Sequence, residues 1–352
     1  MRRCSGTAQG SASVMGKVPM GKVPMGKGQN VGERLRGSVV TLVLLSTAAL
    51  SLFVAPARAN HDEAIHDRFR PTSVAFWDMD HGTMSGQVGR HSLIAVTDDG
   101  GRSWKQTWRS ATGREVTRVI VAGANSAWAE IDACATCRHR LLHSTDGGKT
   151  WVHVARNRLS DVSFINDTEG WALWKAQGKT SDRGGNPGIR VLVKQTHDGG
   201  RTWTRVSSAC RHGYWIDAAL SRTGAGEGWI VCAGDIGTAM QKKVVIHTVD
   251  SGSTWQRPGD ALWSGHLTGV LFRSTDHGWL WLNRAGLLRT DDGARTWDSN
   301  RFFESDVDFI SSVCFVDNEN GYATYQNGDR GAQQFIVTHD GGRTWRVRQT
   351  WH

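Results

Sequence analysis

Short strand-like apolar stretches separated by polar turns run along the chain from about residue 72 onward, and one order of stretches keeps returning. An apolar segment ends in a polar turn, and a Gly with an aromatic opens a second. A loop of variable length then leads to a third, and an Asp- and Gly-rich turn passes to a fourth that begins with Trp. The Gly-aromatic feature appears as Phe164 through Gly170-Trp171, Leu220 through Gly228-Trp229, Phe272 through Gly278-Trp279 and Phe315 through Gly321-Tyr322. Two units depart from it: Phe76 is followed by Gly82-Thr83, without the aromatic, and the next unit has Ala127-Trp128, without the Gly. Apolar segments bounded by such turns predict strands, four to a unit.

The Asp turn is an octet that recurs six times: Thr97–Trp104, Ser144–Trp151, Thr196–Trp203, Thr248–Trp255, Thr290–Trp297 and Thr338–Trp345. Its central carboxylates, Asp99, Asp146, Asp198, Asp250, Asp292 and Asp340, are spaced 47, 52, 52, 42 and 48 residues apart. A period of that size suits a four-stranded propeller blade. Each residue type has work in a tight hairpin: Asp accepts the N–H groups just after it, and Gly supplies positive φ. The hydroxyls tie the two arms, and Trp starts the outgoing strand with a large surface to bury. Ser251 replaces the first Gly of the fourth octet and Ala294 the second Gly of the fifth.

The expected fold is therefore all-β, a propeller of six four-stranded blades, with seven as the alternative. The octets are similar to those of Asp-box, or BNR-repeat, propellers, and their pairing with a Gly-aromatic strand most resembles the photosystem II assembly and stability factor family. The resemblance spans residues 72–352. It implies a non-enzymatic scaffold that binds a protein partner and aids assembly of a membrane complex; seven blades are what that family implies, and a seventh is not found. Because sialidases carry the same octet, an exo-glycosidase of sialidase type is the main enzymatic alternative.

Composition fits this picture. Of 352 residues 17 are Trp and 42 Gly, with only 6 Pro, a ratio foreign to helical proteins. The net charge of +9 is misleading, since residues 1–59 hold eight of the 42 Lys and Arg but one of the 33 acids. The remainder, 34 basic against 32 acidic residues, lacks the excess charge that phosphate backbones require, which argues against nucleic acid. Arg34 and Arg36 precede an apolar run from Val39 to Ala55, and Ala57-Arg58-Ala59 offers a cleavage site. Residues 1–59 are thus expected to be an export signal with an unstructured extension, 60–71 a linker or closing segment, and 72–352 one propeller domain, periplasmic or extracellular and monomeric. A retained anchor is the alternative, and membrane contact is expected only through this segment or the partner. No Cys directly follows the run, which argues against a lipoprotein.

Length variation locates the working face. From the second-strand aromatic position to the octet Asp the distance runs 16, 18, 27, 21, 13 and 18 residues, so insertions gather between strands two and three. In an up-and-down blade those loops share a face with the strand four to one connections, opposite the Asp turns, and variable loops on a rigid scaffold carry binding residues. Candidates there are Arg109, Arg156, Arg211, Trp215, Trp263 and Arg301, the Arg-and-aromatic composition of interface hot spots and carboxylate recognition.

No cofactor or metal is expected: Asp98-Asp99-Gly100 and Asp291-Asp292-Gly293 lack the remaining oxygen ligands and bidentate acid of a calcium loop. Cysteine placement predicts disulfides Cys134–Cys137 and Cys210–Cys232, with Cys314 reduced; a thiol-disulfide enzyme using Cys134 and Cys137 is a further alternative.

Overall fold

The computed structural model describes residues 68–111, 114–132, 139–157, 159–178, 188–237, 240–283, 286–300, 309–326 and 331–352. The strands fall into six antiparallel sheets of four, each made of strands consecutive in sequence. Blade one holds β1 (Arg70–Phe76), β2 (Gly82–Val88), β3 (His91–Thr97) and β4 (Lys105–Arg109). Blade two holds β5 (Glu115–Ala122), β6 (Ser126–Asp132), β7 (His139–Ser144) and β8 (Val152–Asn157). Blade three is β9 (Ser160–Phe164), β10 (Gly170–Gln177), β11 (Ile189–Thr196) and β12 (Thr204–Ala209). Blade four is β13 (Asp217–Arg222), β14 (Gly228–Ile236), β15 (Met240–Thr248) and β16 (Leu262–Ser264). Blade five is β17 (His266–Phe272), β18 (Gly278–Asn283), β19 (Gly286–Thr290) and β20 (Asp298–Asn300). Blade six is β21 (Phe309–Phe315), β22 (Gly321–Gln326), β23 (Gln333–Thr338) and β24 (Arg346–Trp351). The chain is a six-bladed β-propeller. Arg70 and Pro71, the end of the segment expected to be a linker or closing segment, open β1.

First strands meet first strands around the ring, so β1, β5, β9, β13, β17 and β21 surround the axis. The apolar core lies between blades: among the described residues six clusters of buried side chains occur, each shared by two neighbouring blades. Side chains of blade six close the ring on blade one. Tyr322 stacks on Phe76 with centroids 3.7 Å apart, and the Ser73 and Ser312 hydroxyls meet at 3.2 Å.

Both sequence features serve this packing. The last residue of a first strand lies against the second-strand aromatic of the preceding blade: Phe164 on Trp128 at 3.7 Å, Phe272 on Trp229 at 4.1 Å, Phe315 on Trp279 at 3.8 Å. In blade four the guanidinium of Arg222 takes the ring's place, 4.2 Å over Trp171. The octet Trp packs edge-on against that Phe, as for Trp104 on Phe76 and Trp203 on Phe164. Gly opens the second strand because Phe lies over it: a Cβ on Gly82, Gly170, Gly278 or Gly321 would sit 2.6 Å from its cross-strand Phe ring. Blade two breaks the rule consistently, since Ala127 pairs with Val121, which has no ring.

The octet turns share one geometry. In blade one the Asp99 carboxylate accepts the N–H groups of Arg102 and Ser103 at 2.8 and 2.9 Å and the Ser103 hydroxyl at 2.6 Å. Thr97 donates to Asp99 at 2.8 Å and accepts the Gly101 N–H at 2.9 Å. Partial burial would raise the Asp99 pKa, but these bonds hold it down at about 2. Gly100 and Gly101 have φ of 72° and 79°, and Ser251 and Ala294, which stand where other octets have Gly, take φ of 61° and 69°.

Candidate functional site

A first strand is the inner edge of its sheet, and its outward N–H groups need acceptors. Side chains of the preceding blade supply them. Ser73 accepts from Val119 N–H at 3.1 Å, Ser312 from Val74 at 3.2 Å, Asp161 from Leu220 at 2.7 Å and Glu130 from Val162 at 2.8 Å. One step along, Ser163, Ser221 and the Cys314 thiol do the same for Arg222, Phe272 and Phe76. Five first strands carry a bulge, leaving Thr72, Thr117, Asp161, Thr268 and Ser311 unpaired. Asp161 adopts φ of 57°.

The first strands enclose a cavity of about 220 Å³ lined from all six blades. Its charges come from blades two to four: Arg118 pairs with Asp161, Glu130 lies beside them, and Lys175 meets Asp217 at 2.5 Å. Burial lowers the Arg118 pKa, and Glu130 opposes that shift. Sequence reasoning missed this cluster. The available signal was a charge in a first strand, Arg118 or Asp161, at the register where other blades have Ser73, Ala219, Gly269 and Ser312.

The face carrying the strand two to three hairpins, called the mouth face below, also carries the four to one connections, as the blade topology requires. Arg109 ends β4 and is exposed, and Arg211 follows β12 and is exposed, its Nε donating to the Ser208 carbonyl at 3.1 Å. Both belong to outer strands and stand at the periphery of the face, while Lys175 and Asp217 stand at the cavity. Arg156 lies in β8 opposite Arg140. Trp263 is 54% exposed in β16. Trp215 corrects the expectation: it is 5% exposed, packs in the core between blades three and four, and donates its indole N–H to the His212 carbonyl. A flanking Arg and Tyr made it look like loop surface, but the neighbouring blade covers it. Arg301, Cys134 and Cys137 lie outside the described residues.

Cys210 and Cys232 form a disulfide beside Trp215, across 22 residues of sequence. The Cys314 thiol is free, and burial pushes its pKa up to about 11. Tyr322 and Tyr325 are core residues, and the Tyr322 hydroxyl donates to the Met79 carbonyl at 2.7 Å with its pKa pushed up by burial to about 12. These are poor positions for a tyrosine nucleophile. Among the described residues no group of three His, Cys, Asp or Glu side chains could hold a metal ion.

No protein-family model matches the chain. It is 26% identical over 339 residues to the photosystem II assembly lipoprotein Ycf48 of Synechococcus sp. (strain CC9902), covering 89% of this chain and 88% of that one. Among solved structures, YCF48 bound to a D1 peptide is 16% identical with a TM-score of 0.44, over 79% of this chain and 96% of that one. YCF48 from Cyanidioschyzon merolae is 17% identical with a TM-score of 0.47, over 81% and 87%. The chain is thus a six-bladed propeller similar along nearly its whole length to a photosystem II assembly lipoprotein.

Proposed function

We propose that this protein is a non-enzymatic, exported propeller scaffold of the photosystem II assembly-factor type, binding a polypeptide segment of a membrane-complex subunit across its mouth face. The observation that carries the reading is the similarity to the Synechococcus lipoprotein across nearly the whole of both chains. Two features support it. The inner strands are tied by cross-blade hydrogen bonds and stacked rings, so the mouth-face loops stand on a rigid frame and binding needs little rearrangement. Arg109 and Arg211 project from that frame into solvent and suit an acidic or carboxylate-bearing segment. Unlike a lipoprotein, the chain has no Cys just after its apolar run, and export with cleavage after Ala59 is the accompanying proposal.

The test is capture from the native envelope followed by mass spectrometry, with Arg109→Glu, Arg156→Glu and Arg211→Glu combined in one variant. Close charge pairs at an interface contribute roughly 1.5 kcal/mol or more each, so the triple variant loses its partner by several kcal/mol. Its melting temperature barely moves, because none of the three belongs to a repeat motif. Partner retention at native strength, with release by changes at Lys149 and Arg343 on the opposite face, overturns the reading.

A further inference from the structure

Blade four gathers three exposed apolar side chains at one place on its mouth-side rim. Ile236 ends β14 and is 45% exposed, Met240 opens β15 and is 59% exposed, and Trp263 in β16 is 54% exposed. They share the mouth-side end of the sheet: Met240 stands opposite Ser264, the chain neighbour of Trp263, and Ile236 opposite Gln241. Single exposed apolar residues need no explanation, whereas three at the same end of one blade do. The group is held firmly. The buried Lys243 ammonium donates to the carbonyls of Gln241, Ser264 and Gly265 at 2.6, 2.6 and 2.9 Å, fixing β15 against β16 and the start of β17.

Beside it a groove of about 510 Å³ runs between blades three and four. Every ionisable side chain lining it is basic: Arg211, His212, Lys242 and Arg257. Asp235 accepts the Ile236 N–H, and Asp260 stands 3.7 Å from Arg257. The indole N–H of Trp255, on the groove wall, is buried without a partner. Lys242 joins groove and apolar group, for it lines the one and holds its ammonium 5.7 Å over the Trp263 ring. An apolar projection with Trp at its edge and cations beside it matches an anionic bilayer, whose interface takes indole rings and whose headgroups take Lys and Arg.

We infer that the blade-four rim docks on an anionic lipid surface, with Ile236, Met240 and Trp263 entering the interface and Lys242 and Arg211 meeting headgroups. This goes beyond the proposed partner binding and beyond membrane contact through an N-terminal segment.

The test is flotation of the full chain with vesicles of phosphatidylcholine alone or with about one third phosphatidylglycerol. The chain partitions to the anionic vesicles, more weakly at high salt. Met240→Ser with Trp263→Ser lowers partition about tenfold, and Lys242→Glu with Arg211→Glu does the same. Any contribution of residues 39–55 is common to all variants and cancels. Should Trp263→Ser lower the melting temperature, Met240→Asp and Ile236→Asp carry the same test from exposed positions. Equal flotation of variants and unaltered chain, or equal partition to neutral and anionic vesicles, overturns the inference. So does patch-dependent binding of a polyglutamate peptide without vesicle binding, which would assign the groove to an acidic polypeptide. The vesicles contain no protein, so failure here leaves the partner-capture result to stand or fall separately.

Discussion

The ring of Phe164 lies on Trp128 of the preceding blade with centroids 3.7 Å apart and planes 4° from parallel, and it also covers its cross-strand partner Gly170. One side chain therefore joins the in-blade pairing of β9 and β10 to the contact between blades. Gly170→Ala puts a Cβ 2.6 Å from the ring, and overpacking costs about 1 to 3 kcal/mol. Phe164→Leu on the same background relieves the clash, so the two changes couple favourably in urea unfolding. Additive effects would mean that the ring does not govern the choice of Gly.

Acid should loosen the Asp turns. In Asp198 slight burial pushes the pKa up, but the side chain and N–H of Thr202, with Thr196 and Arg201, hold it at about 2. Asp99, Asp250 and Asp340 also lie at about 2, and Asp146 and Asp292 are lowered. A folded pKa below the unfolded 3.8 means stability that is complete above pH 4 and drains as pH falls from about 4 toward 2. The melting temperature should drop steeply in that window, and less steeply in Asp198→Asn. A flat profile there contradicts the assignment.

Strain at the two irregular octets can be separated from packing. Left-handed backbone costs a non-Gly residue roughly 1 to 2 kcal/mol. Ser251→Gly should therefore raise stability by about 0.5 to 1 kcal/mol after the extra entropy of Gly is subtracted. Ala294 has the same strain, but its methyl is buried in the core between blades four and five, and losing it costs about 0.8 kcal/mol. Ala294→Gly is expected to be near neutral. Equal gains at both sites in denaturant melts would refute the distinction.

Arg222 offers a simpler exchange. Its Nη2 donates to the Gly224 and Ala225 carbonyls, but Nε and Nη1 are buried without partners, and burial pushes its pKa down to about 10. Arg222→Phe restores the ring pair used by other blades and should be neutral or stabilising by about 1 kcal/mol. Arg222→Ala, which leaves Trp171 uncovered, should destabilise. A loss in the Phe variant as large as in the Ala variant would show that the guanidinium bonds matter more than the stack.

The thiols make a chemical prediction. Opening Cys210–Cys232 by Cys210→Ser with Cys232→Ser should cost about 2 to 4 kcal/mol, in line with a loop of this size. Cys314 accepts the Phe76 N–H at the ring closure and has a raised pKa, so alkylation followed by peptide mapping should label it only after denaturation. Rapid labelling in the native protein would contradict the raised pKa and the bond to Phe76.

Sequence alone pointed to six blades, with seven left open, and determined the strand order and the Asp turns. The turns rest on bonds made within eight residues, and a bond that local writes its donors and acceptors side by side along the chain. Length variation likewise revealed which loops vary, because topology assigns each loop class to a face without further packing detail. What covers each strand was decided by the tertiary structure. A strand's alternation says which side a residue faces, but not whether a ring, a charge or water lies there. Trp215 and Trp263 both read as aromatic loop surface, yet one is roofed by blades three and four and the other stands in solvent. Arg118 meets Asp161 across 43 residues and Lys175 meets Asp217 across 42, partners brought together only when neighbouring blades dock. The requirement for Gly at position 170 was visible as a motif, and its cause, a Phe ring held between two blades, required the ring of blades to close.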